Sequence, residues 1–193
     1  MRSGAQHYQA IATGRRSKIA GEHWEKVIEA SCQFYSQKGI AEIEKTPEPM
    51  KLLSSRNSKG QFLACFTKQA QPDYKGTLAG GRAIVFEAKH TDSDKLLRTV
   101  ISEEQEKSLN RHLELGAACY VMVSFRFTRF FRIPWVVFRD MKDHFGRKYI
   151  TPSDVPEYEI KVVGGVLHFL RGAGQQWRND PETKLRTDRK IEP

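Results

Sequence analysis

Arg82-Ala83-Ile84-Val85-Phe86-Glu87-Ala88-Lys89, preceded upstream by Pro72-Asp73, is the stretch that decides the fold. Its β-branched and aromatic content predicts a strand, and period-two alternation puts Glu87 and Lys89 on one face. Phe86 and Ala88 then point the other way, toward a core. Two carboxylates and a lysine at this spacing suit metal-assisted phosphodiester chemistry. Asp73 and Glu87 offer hard oxygen ligands to Mg²⁺, which takes one or two carboxylates and fills its shell with water and phosphate oxygens. Lys89 supplies positive charge where the phosphate gains negative charge. A PD followed by an ExK is short, however, and charged residues on a strand face are usually solvated, so the motif depends on its context.

That context begins with charge. Lysine and arginine total 32 against 23 acidic residues, a formal +9, which favours a polyanionic partner, most simply nucleic acid. Terminal segments account for part of the excess, but Lys51, Arg56, Lys59, Lys68 and Lys75 are basic in the interior, around the acidic pair. No apolar run approaches a membrane span, and Met1 to Ser17 lacks the apolar stretch of a secretory leader. Cys32, Cys65 and Cys119 are odd in number and scattered, which predicts neither a disulfide framework nor a zinc site, and a reducing compartment.

Residues 1–20 read as a flexible basic arm. Glu22 to Lys38 reads as a helix with Trp24, Val27, Ile28, Phe34 and Tyr35 on its apolar stripe, ended by Gly39. Glu22, Glu25 and Glu29 share another face. Ile40 to Glu44 alternates as a short strand and stops at Pro47 and Pro49. Met50 to Ser54 and Gln61 to Thr67 are expected to pair as a hairpin around Asn57-Ser58-Lys59-Gly60, with Arg56 and Lys59 at its tip and Phe62 and Phe66 on one face. Ser102-Glu103-Glu104-Gln105 is a capping-box start for a helix running to about Leu115. Ala117 to Phe125 and Phe127 to Ile133 read as buried strands, and Gly164-Gly165 as a turn before a last strand. From Gly172 onward the chain is charged and poor in apolar residues, which predicts a disordered tail over 172–193. The fold class is α/β, a mixed β-sheet flanked by helices.

Several blocks in order carry a resemblance to a known family. Gly21-Glu22-His23-Trp24-Glu25 is similar to its first helix, and Ile40 to Pro49 to its "IAvIxKxPxP" segment, which includes Lys45. Asp73-Tyr74-Lys75-Gly76 is similar to "DYxG", Phe86 to Thr91 to "FEAKxT", and Gly146-Arg147-Lys148 to a late "GRK" block. Together these resemble the RecU family of Holliday junction resolvases, within the PD-(D/E)XK nucleases. The resemblance implies a restriction-endonuclease-like nuclease domain over 21–171 with a protruding stalk hairpin at about 50–71. It further implies catalytic roles for Asp73, Glu87 and Lys89, with Glu25 as the first-helix acid and Gln105 at the edge of the site. Asp73 and Glu87 become the metal ligands, for Mg²⁺ with Mn²⁺ as substitute. Lys45, Arg56, Lys59, Phe62, Phe66, Lys68, Lys75, Arg147 and Lys148 become DNA contacts. Glu104 stands where the family has a histidine, and Val85 where many relatives have an acid.

The expectation is a cytoplasmic homodimer, bacterial or phage-encoded, that resolves four-way junction DNA by paired symmetric nicks and contacts no membrane. Two readings compete with it: a nuclease acting on duplex DNA or DNA ends, and a non-catalytic DNA-binding recombination module. An intact Asp73, Glu87 and Lys89 argues against the module, because carboxylates repel DNA unless a cation intervenes.

Overall fold

A computed structural model of the chain describes residues 4–47, 49–66 and 71–170, with the side chains of residues 4–13, 15, 16 and 66 excepted. In chain order the helices are α1 (Gly4–Gln37), α2 (Glu103–Glu114), α3 (Trp135–Arg139) and α4 (Met141–Phe145). The strands are β1 (Ala41–Lys45), β2 (Met50–Leu52), β3 (Ala64–Phe66), β4 (Tyr74–Leu78), β5 (Ala83–Thr91), β6 (Leu96–Leu97) and β7 (Ala118–Phe125). They continue with β8 (Arg129–Pro134), β9 (Tyr149–Ile150), β10 (Val162–Val163) and β11 (Val166–Leu167).

Five strands form the central sheet in the order β1-β4-β5-β7-β8. β5 and β7 run parallel and the other neighbours antiparallel, so the sheet is mixed. A parallel pair needs a crossover, and α2 supplies it between β5 and β7. β7 is buried along its whole length, as expected for a central strand covered on both faces.

The alternation of β5 sorts its side chains onto two cores. Ile84 and Phe86 join Trp24, Ile28, Tyr35, Tyr74 and Tyr120 beneath α1, where Phe86 stacks on Tyr74 at 4.8 Å between ring centres. Val85 faces the other way, with Leu109 of α2, Val121, Val123, Trp135 and Phe138. Val85 is therefore a core residue. The last strand is tied to α1 by buried hydrogen bonds: the Leu167 N–H donates to Ser31 Oγ (3.0 Å), and the Tyr35 hydroxyl donates to the Leu167 carbonyl (3.1 Å).

Gly76 shows why β1 can lie where it does. A Cβ at this position would stand 2.1 Å from the Glu42 carbonyl oxygen, so only glycine lets β4 meet β1. The glycine of the Asp73-Tyr74-Lys75-Gly76 block is there for packing.

The structure departs from sequence expectation at three places. α1 runs back to Gly4, so the segment read as a flexible arm is helical; no proline interrupts residues 4–37, and its alanines, glutamines and arginines favour helix. Phe127 belongs to a turn rather than to a strand. It and Arg126 both adopt left-handed backbone (φ 53° and 51°), which closes a turn in which the Thr128 N–H donates to the Phe125 carbonyl at 3.0 Å. That turn is held by Arg126, which donates to the Asp92 carbonyl and to the Asp94 carboxylate, and by Phe127, whose ring stacks on His90 at 4.0 Å. Third, the short helices α3 and α4, which sequence reading did not find, follow β8, and Trp135 of α3 donates to Asn110 of α2 at 2.8 Å. The expected disordered tail over 172–193 lies outside the described residues.

Candidate active site

Asp73 precedes β4, and its Oδ2 accepts the Ala88 N–H at 2.9 Å, which pins the loop carboxylate to β5. Glu87 is wholly buried on the α2 face of β5. Lys89, two residues on, lies on the same face, with Nζ 3.1 Å from Glu87 Oε2 and 3.7 Å from Asp73 Oδ2. The structure thus gathers the three residues that the sequence singles out.

Burial is the first cause that raises the pKa of Glu87, pushed up to about 8, and the charge of Asp73 adds to it; Lys89 offsets this only in part. Burial also works against the charge on Lys89, but the two carboxylates outweigh it and hold its pKa above the ordinary lysine value. A second cationic charge at this point would relieve both carboxylates.

Gln105 enters from the first turn of α2. Its Nε2 donates to Glu87 Oε2 at 2.5 Å, while its Oε1 accepts the Ser102 N–H at 3.1 Å. The other oxygen, Oε1 of Glu87, is buried and has no hydrogen-bond partner among the described residues. A carboxylate oxygen left bare in the interior is costly unless something positive meets it. The donor set therefore fits a hard divalent cation held by Asp73 and Glu87. Among the described residues no group of three or more His, Cys, Asp or Glu side chains is assembled for a metal. Two carboxylates match the sparse protein coordination that Mg²⁺ prefers.

Glu25, on α1, is engaged by a lysine of β1. Its carboxylate receives Lys45 Nζ at 2.7 Å, and Glu29 stands 4.0 Å from the same nitrogen. The hydrogen bond to Glu25 is the leading cause that raises the Lys45 pKa, and Asp73 contributes at longer range. Lys45, expected as a DNA contact, is engaged by the first-helix acids, an arrangement the sequence did not reveal because its partners lie far upstream.

The remaining expected contacts divide. Lys75 pairs in register with Val85, which puts it on the same sheet face as Glu87 and Lys89, and it donates to Gln71 at 2.7 Å. Arg147 is turned onto Asp154, its Nη2 donating to both carboxylate oxygens at 2.6 and 2.7 Å, whereas Lys148 is exposed.

β2 and β3 pair antiparallel, shorter than expected, and residues 50–63 are exposed throughout. Phe62 is 42% exposed, so it does not pack into the core, and Arg56 lies over its ring at 5.9 Å. Lys59 sits at the exposed tip. Phe66 lies in β3 opposite Met50, but its side chain, like Lys68 as a whole, is outside the described residues.

The sheet and site define an α/β protein with a buried acidic pair and a lysine on a central strand, beside an exposed basic and aromatic hairpin. The chain belongs to the family described as RecU, Recombination protein U, whose model matches residues 19–173. It is 28% identical over 110 residues to the Holliday junction resolvase RecU of Streptococcus gordonii and 29% identical to that of Streptococcus sanguinis. Each alignment covers 54% of this chain and 54% of the relative, so the chain spans about half the length of the curated relatives it matches. Among solved structures, a Holliday junction resolvase, Hjc from Archaeoglobus fulgidus, aligns with a TM-score of 0.45 and 15% identity, over 72% of this chain and 89% of its own.

Proposed function

We propose that this chain is a divalent-metal-dependent endonuclease that resolves four-way junction DNA by paired symmetric nicks in recombination and repair. The observation that carries the reading is Glu87: a wholly buried carboxylate with one oxygen bare, held against Asp73 and Lys89. A structural acid in such a place would be expected to have its whole hydrogen-bonding capacity filled. Membership of the family and the names of the two streptococcal relatives support the junction as substrate.

Asp73 and Glu87 would hold the cation, with Mg²⁺ the expected ion and Mn²⁺ its substitute. Once bound, the ion supplies Lewis-acid stabilisation of the phosphate and acidifies a nearby water. The chain's own part is preorganisation. The Ala88 N–H fixes Asp73, Gln105 fixes Glu87, and Lys89 brings a fixed positive charge to the position where the pentavalent phosphate gains negative charge. The exposed hairpin with Arg56, Lys59 and Phe62 would enter the open centre of the junction, where unstacked bases are free to stack on an aromatic ring. Paired nicks require two sites related by a two-fold axis, which a homodimer supplies. Such an enzyme works in the cytoplasm; among the described residues no helix is long and apolar enough to cross a membrane.

The test is a side-by-side cleavage assay on a four-way junction, a linear duplex and a single strand, with and without Mg²⁺. Symmetric nicking of the junction alone, only with Mg²⁺, is the expected result. Equal cutting of linear duplex would replace the junction reading with general duplex cleavage, and tight binding without any cleavage would leave a binding module.

A further inference from the structure

Gln105 is clamped at both ends of its amide. Oε1 accepts the Ser102 N–H, the Gln105 N–H donates to Ser102 Oγ at 3.2 Å, and Nε2 donates to Glu87. A backbone N–H can only donate, so the amide oxygen must face Ser102 and the donor end is forced toward Glu87. A flipped amide would set carbonyl against carboxylate on one side and two donors against each other on the other. Glu87 Oε2 therefore receives both Gln105 and Lys89, and Oε1 receives neither.

We infer that Ser102, the residue that caps α2, is a positioning residue for the cation site. By locking the Gln105 amide it saturates one oxygen of Glu87 and reserves Oε1 as the atom through which Glu87 ligates the ion. The inference rests on the proposal that Asp73 and Glu87 hold a divalent cation. It assigns to the helix cap, which would otherwise be only a start signal for α2, control over which carboxylate oxygen is free. Partners that orient a ligand in this way commonly govern metal affinity by about tenfold or more.

The backbone offers a selective test. Ser102 has φ −70° and the preceding Ile101 has φ −100° and ψ 121°, values that proline and its predecessor adopt without strain. Ser102→Pro deletes both the N–H that holds Gln105 Oε1 and the hydroxyl, Ser102→Ala deletes only the hydroxyl, and Ser102→Thr keeps both. The Mn²⁺ dissociation constant of the full chain is measured by calorimetry, together with the Mg²⁺ concentration that half-saturates junction nicking. Ser102→Thr should stay within about twofold of wild type, Ser102→Ala should weaken Mn²⁺ binding by about threefold and Ser102→Pro by about tenfold. The Mg²⁺ requirement should rise in parallel, while the rate at saturating Mg²⁺ changes much less.

Leu109→Val, which loosens α2 from the core without touching the amide, is the control for plain helix stability and should leave the dissociation constant unchanged. A folded Ser102→Pro chain with wild-type Mn²⁺ affinity would overturn the inference. So would a Leu109→Val chain weakened as much as Ser102→Pro. If Ser102→Pro does not fold, equal affinities of Ser102→Ala and Ser102→Thr overturn it alone. A wild-type chain that binds no Mn²⁺ would remove the cation reading itself, and this inference with it.

Discussion

The Gln105 side chain joins the capping box of α2 to the buried carboxylate of Glu87, so one residue serves both the start of a helix and the chemistry of the neighbouring strand. Glu87 takes both its donors, Gln105 and Lys89, on Oε2, and Asp73 completes its surroundings. The first expectation concerns Asp73, Glu87 and Lys89.

Asp73→Asn, Glu87→Gln and Lys89→Ala should each lower the rate of junction nicking in Mg²⁺ by about 100-fold or more, since the first two weaken a ligand of the cation and the third removes positive charge where negative charge develops. Junction affinity, measured without cleavage in Ca²⁺, should change little. Near wild-type nicking by Asp73→Asn would remove it from the site. Glu25→Gln should have a smaller effect, because its carboxylate is engaged by Lys45.

The raised pKa of Glu87 links metal-free stability to pH. Below about 4.5, its ordinary value, the group is protonated folded or unfolded and has no effect. As pH rises toward about 8 the unfolded chain ionises while the folded chain keeps its proton, so this group lowers stability through that window. Thermal melts of chelator-treated protein should therefore weaken between these values. Glu87→Gln should flatten that fall, and Mg²⁺ should raise the melting temperature more at pH 8 than at pH 5.5. A wild-type profile identical to that of Glu87→Gln would contradict the assignment.

Deleting Arg56 to Gly60 shortens an exposed hairpin tip, so thermal stability should shift by less than about 0.5 kcal/mol. The ratio of junction to linear-duplex affinity, read by competition binding, should collapse if the hairpin enters the junction. An unchanged ratio in a folded deletion would rule the hairpin out of recognition.

Neighbours Arg147 and Lys148 should separate by experiment. Arg147→Ala removes the Nη2 that donates to both oxygens of Asp154 and should cost about 2 kcal/mol of unfolding free energy. Lys148→Ala should leave the melt unchanged, weaken DNA binding and shallow its salt dependence by about one phosphate contact. The reverse pattern would exchange the two roles.

Gly76→Ala forces a side-chain carbon against the backbone of Glu42 and Ile43, and should destabilise the fold by about 3 kcal/mol. Chemical denaturation with an unchanged midpoint would show that β1 can withdraw at no cost.

What the sequence determined by itself was whatever is local. Alternation in Ala83–Lys89 set which way Glu87 and Lys89 face, Ser102 and Gln105 announced the start of α2, and the apolar run from Ala117 to Phe125 marked a buried strand. These follow from backbone periodicity and hydrogen bonds within a few residues, which short windows of chain contain. Tertiary structure decided everything that depends on distant partners. Lys45 is drawn to Glu25 across twenty positions and Arg147 to Asp154, so two basic residues that look alike in the sequence each meet an acid of the same chain. Charge in a sequence has sign but no partner. Likewise the Gln105 amide was legible as a cap, but only the packing of α2 against β5 brings its other end to Glu87 and leaves one carboxylate oxygen bare.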